Sequence, residues 1–125
     1  MEALQFINEH MTALTGAYEF GQWSSAIVYP YFVGEKPSPE EYIAEDGSVE
    51  TVLLVTGFHR GPMTDLLTVA DRIKNHFDPI NGLRSRTGSG AIAVFFDGSF
   101  PIPSGEADLN KIQINLRIKE WKGVQ

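Results

Sequence analysis

The sequence predicts an α+β fold of two layers: a mainly antiparallel, twisted sheet of four or more strands, with two helices packed on one face. Three observations lead there. Ile112, Ile114, Leu116 and Ile118 alternate strictly with Lys111, Gln113, Asn115, Arg117 and Lys119, the period of a strand with one packed and one wet face. Two other segments carry apolar residues at spacings of three and four, the period of a helix face. Each of these helical segments precedes two strand-like runs, so the predicted order is α-β-β-α-β-β, and one face of the sheet gives both helices something to cover.

The first helix is read from Leu4, Ile7, Met11 and Leu14, with Gly16 as its stop, because glycine takes the left-handed conformation without steric cost. A strand is expected over Ser25–Val33, where β-branched and aromatic residues are dense. Pro30 places it at an edge or a bulge. Residues 34–49 hold turn signals and are expected to form an acidic, protruding loop or hairpin. Glu35, Glu40, Glu41, Glu45, Asp46 and Glu50 face only Lys36 there, so positions 35–50 carry −5 of the chain's −6.

Glu50–Phe58 is the second strand. Its run Val52-Leu53-Leu54-Val55 suits a strand covered on both faces or one at a subunit contact. The second helix is expected over Asp65–Phe77, with Leu66, Leu67, Ala70, Ile73 and Phe77 inward, Thr64 as N-cap, and Pro79 and Gly82 closing it. Ala91–Phe96 is the third strand, Asp97–Gly105 a Gly/Pro/Ser-rich turn, and Leu109–Ile118 the last strand.

Length and composition bound the function. A chain of 125 residues with 42% apolar content is expected to be one compact domain, 1–125. The absence of cysteine removes disulfides, thiolate metal sites and a thiol nucleophile. A net charge of −6 argues against general phosphate-backbone binding, which runs on Lys and Arg. No apolar run reaches the ~20 residues that span a bilayer, and the acidic start of the chain does not read as a signal peptide. A soluble, intracellular protein is expected.

Little catalytic chemistry is legible. Gly-x-Ser-x-Gly does not occur, and His10, His59 and His76 show no metal-ligand spacing. His10 is expected to be solvated and His76 to complement the end of the second helix. His59, Arg60 and Asp97 are the only candidates for an enzyme. Trp23 and Trp121 read as packing anchors. Arg84-Ser85-Arg86-Thr87-Gly88-Ser89-Gly90 reads as a protruding basic loop able to hold an anion or an acidic partner, although it is not a P-loop. The expectation is therefore a protein that is not an enzyme, has no cofactor or metal, and works through surfaces. Glu40, Glu41, Glu45, Arg84 and Arg86 are its candidate interface residues. Opposite charges on separate parts of one molecule favour head-to-tail contacts, which close into rings when the rotation permits.

The layout has a counterpart. A short N-terminal helix, the aromatic run Ala26-Ile27-Val28-Tyr29-Pro30-Tyr31-Phe32-Val33-Gly34-Glu35, an acidic loop, Val52–Gly57, the helix Asp65–Phe77 and a Gly-rich turn into two last strands together resemble the small tail-terminator (tail-completion, minor structural) proteins of long-tailed bacteriophages and prophages. The resemblance implies a homo-oligomeric ring, typically a hexamer, that caps the tail tube and offers the surface on which the head docks. Its partners would be itself, the tail tube protein and the head–tail connector protein. It implies no cofactor and no membrane, with DNA at most passing through the ring, and a place in the virion tail after assembly in the bacterial cytoplasm. The alternative reading is a small α+β ligand-binding or regulatory module for an anionic metabolite.

Overall fold

A computed structural model describes residues 2–36, 42–43, 47–86 and 90–122. The elements are α1 (Glu2–Thr15), β1 (Tyr18–Phe20), β2 (Tyr31–Glu35), β3 (Tyr42–Ile43), β4 (Val49–His59), α2 (Met63–His76), β5 (Leu83–Arg86), β6 (Gly90–Ile102) and β7 (Asn110–Lys122). The α+β class and the mainly antiparallel sheet are as expected. The element order is not: β1 and β3, of three and two residues, are too short to show a periodicity.

The strands join in the path β1-β2-β4-β7-β6-β5, with β3 pairing to β4. Only β1–β2 is parallel among these pairs. The two central strands β4 and β7 are registered from Val49↔Glu120 to His59↔Asn110. On β7 the buried residues are Ile112, Ile114, Leu116 and Ile118, the set the alternation marks. On β4, Leu53, Val55 and His59 point to the same side, while Val52 is exposed on the other. The apolar run of β4 is thus covered on one face, and the other stays open in this chain.

Leu53, Val55, Ile92, Val94, Phe96 and the four β7 residues meet Ala3, Ile7 and Met11 of α1 and Leu66, Val69, Ala70 and Ile73 of α2 in one cluster. Burial of such side chains supplies about 1.5–3 kcal/mol each. The expected packing of both helices on one sheet face is not matched: α2 packs across β4, β6 and β7, whereas the main contacts of α1 are with β1 and α2. Gly16, at φ +79°, ends α1, with its amide bonded to Thr12 O at 2.8 Å.

Four local expectations fail for identifiable reasons. Ser25–Tyr29 lies outside the sheet, and the strand begins only at Tyr31, after Pro30 in a cis peptide bond. β6 does not turn at Asp97 but continues to Ile102 through a bulge between Phe96 and Gly98, a use of glycine inside strands. α2 starts at Met63 with Pro62 before it and no side-chain cap, so Thr64 is inside the first turn. Residues 83–86 are an edge strand, not a loop. No helix among the described residues is long and apolar enough to cross a membrane.

Candidate interaction surface

The face of the sheet turned away from the helices follows from register. Arg84 lies opposite Ala93 and Arg86 opposite Ala91, and these pair across to Lys119 and Trp121. Arg84, Arg86, Lys111, Arg117 and Lys119, five of the chain's ten basic residues, alternate onto this face with β5 and β7. Phe95, on the same face, is only 5% exposed. Arg117 stacks over its ring at 4.6 Å and Arg84 reaches it at 6.0 Å, contacts that use the negative face of the ring. Arg117 also bonds Glu50 at 3.4 Å.

The two arginines of β5 stand at the end of the sheet. Arg84 Nε donates to Asn81 O at 3.1 Å. Among the described residues neither Arg84 nor Arg86 has an acidic partner. A shallow cleft of about 410 Å³ between them is lined by Arg84, Ser85, Arg86, Ala91, Ile92 and Trp121. Trp121 is thus a half-buried wall of this cleft. Glu40, Glu41 and Glu45 fall outside the described residues.

The opposite end of the sheet is different in kind. Phe20, Ile27, Val28 and Tyr29 are exposed, Ile27 by 57% and Val28 by 55%. No charged residue occurs from position 20 to 29. The strip is anchored at both margins. Ser24 donates through its amide (3.1 Å) and hydroxyl (2.7 Å) to Glu19 Oε1, and bonds from Ser25 and Ser24 hold the Glu19 carboxyl below the usual range. Trp23 packs on Tyr31 (4.9 Å), which stacks on Phe58 (4.8 Å). Arg60 bonds the Tyr29 hydroxyl at 3.1 Å and Glu106 at 2.9 Å, which raises its pKa, Tyr29 contributing most. A second cleft of about 410 Å³ lies beside β1, lined in part by Tyr18, Glu19, Trp23 and Val28. The Trp23 Nε1 atom is buried without a hydrogen-bond partner.

The candidates for an enzyme, His59, Arg60 and Asp97, are not brought together. His59 Nε2 donates to Asp65 Oδ2 at 2.8 Å, since a carboxylate only accepts, tying the end of β4 to the first turn of α2. Its Nδ1 is buried and unpaired. Asp97 sits at the β6 bulge beside the Leu116–Asn115 register, whereas His59 is registered with Asn110. At ~3.4 Å per residue that is roughly 17 Å along β7. Arg60 is engaged with Tyr29 and Glu106.

His10 is not a solvated residue: its Nδ1 is 2.8 Å from His76 Nε2. Burial, followed by the proximity of His10, lowers the His76 pKa. Sixty-six residues separate the pair, so no local spacing announces it. No group of three or more metal-ligating side chains occurs among the described residues. No protein-family model matches the chain, and no curated protein matches its sequence.

Proposed function

We propose that the chain is a structural assembly protein: a ring subunit of the tail-terminator type, capping a phage tail tube and presenting the surface on which the head docks. The observation that carries this reading is the basic end of the sheet, where Arg84 and Arg86 are exposed and without an acidic partner among the described residues, in a chain whose positions 35–50 hold six acids against one base. Opposite charges on one molecule favour heterologous contacts between copies, and these close into rings when the rotation permits. A hexamer, the tail tube protein and the head–tail connector protein are the partners the family resemblance adds; virion tail and host cytoplasm are the corresponding locations. Catalysis, a metal and a cofactor play no part in this reading. Light scattering on a sizing column, over a range of concentration and salt, tests it: a mass several times 13.9 kDa that falls with salt supports it.

The cleft of about 410 Å³ with Arg84, Arg86 and Trp121 on its walls favours the second reading, a binding module for an anionic metabolite. Its volume lies within the ~300–1,000 Å³ of small-molecule sites. A thermal-shift screen with anionic metabolites tests it, since saturation at 100 times the dissociation constant adds about 2.7 kcal/mol.

A further inference from the structure

Building on the ring reading above, we infer that the uncharged segment Ala26–Tyr29 of one copy docks as an added strand along the free side of β5 in the next copy. Ile27, Val28 and Tyr29 are all β-prone residues, yet the segment has no strand partner among the described residues and these side chains are exposed. Proteins guard β-prone edges with charges or cover them, and no charge interrupts positions 20–29.

β1, from whose end this segment leads, and β5 are the two terminal strands of the path β1-β2-β4-β7-β6-β5. A contact between the two ends therefore relates copies head to tail and is of the kind that propagates around a ring. β5 has four residues and among the described residues pairs on one side only, with β6, which matches a four-residue guest. Strand addition satisfies the open backbone groups, and side chains set the specificity.

Glu19, which Ser24 binds at the margin of the segment, is the carboxylate nearest to it in sequence on the β1 side. Arg84 and Arg86 at the other end have no acidic partner among the described residues. Docking brings that carboxylate toward the two guanidinium groups, and charge-assisted pairs of this type are among the stronger hydrogen bonds.

The chain contains no cysteine, so cross-linking tests the contact cleanly. Val28→Cys and Ser85→Cys proteins, which keep both β5 arginines, are purified separately, mixed, and treated with a short bis-maleimide. The mixture should cross-link while neither variant does so alone. In parallel, the Ile27→Asp/Val28→Asp variant should keep the circular dichroism of the wild type but elute at 13.9 kDa where the wild type elutes as a ring. Assembly that survives this double substitution, or cross-links formed within Val28→Cys alone, overturns the inference and leaves the ring standing. A wild type that stays monomeric at every concentration and salt overturns the ring reading and this contact together.

Discussion

His10 Nδ1 lies 2.8 Å from His76 Nε2 and links the middle of α1 to the last turn of α2. One ring must donate and the other accept, so the contact is lost when both are protonated. The rings also pack against Phe6 and Phe77, and the helices are further joined by Arg72, whose guanidinium donates to Leu14 O at 3.0 Å.

Acid should therefore weaken the fold through this pair. The folded-state pKa of His76 is depressed below its ordinary 6.5, so the unfolded chain takes up the proton first. The contribution is whole above pH 6.5 and is lost as pH falls from there toward the folded value. Urea unfolding at successive pH values should show this decline, and His76→Gln should flatten it. An equal slope in both proteins would remove the pair from the account.

Alkali should act at the other end of the scale. Burial pushes the Tyr18 hydroxyl from 10.0 up to about 12. Its raised value means that stability is present below pH 10 and drains away as pH rises toward 12. Tyr18→Phe should be less sensitive in that window, measured by phenolate absorbance alongside circular dichroism.

Gly57 is a point where packing permits no side chain. A Cβ there would collide with the Phe32 ring and come within 3.0 Å of Ile112 Cγ2, both fully buried. Gly57→Ala should cost about 1–3 kcal/mol, the usual range for overpacking, seen as a lower urea midpoint. An unchanged midpoint would mean that β2 and β4 can part more easily than their register implies.

Asp65→Ala should destabilise by about 1–3 kcal/mol. It leaves His59, 9% exposed, with neither ring nitrogen paired, and an unsatisfied buried polar group costs that much. If His59 and Asp65 also served a reaction, the loss would exceed what unfolding accounts for.

The sequence announces some of this structure and hides the rest for physical reasons. The β7 alternation and the α2 stripe are legible because each depends only on neighbours in the chain. Ala26–Tyr29 misleads because β propensity measures fit to a pleated surface, not whether a partner strand is present. Asp97–Ile102 misleads in the opposite way: Gly98 and Pro101 look like a turn, but β7 supplies eleven residues of register to the opposite strand β4 and also holds β6 as a strand through its bulge. At the surface, the exposed arginines of β5 were legible as charge. The contact of Arg84 with Phe95, and the place of both arginines on the walls of a cleft, were not, since Arg84, Phe95 and Trp121 meet only through the sheet.

The most direct measurement is the native mass of the Arg84→Glu/Arg86→Glu variant beside that of the wild type, in the same low-salt buffer. Both side chains are exposed; the variant gives up the Arg84 contacts to the Phe95 ring and Asn81 O, so circular dichroism recorded alongside establishes that it is folded. A closed multiple of 13.9 kDa for the wild type and a folded monomer for the variant is the predicted result. Identical masses for the two proteins, with folding intact, would contradict the claim that this basic end joins one copy to the next.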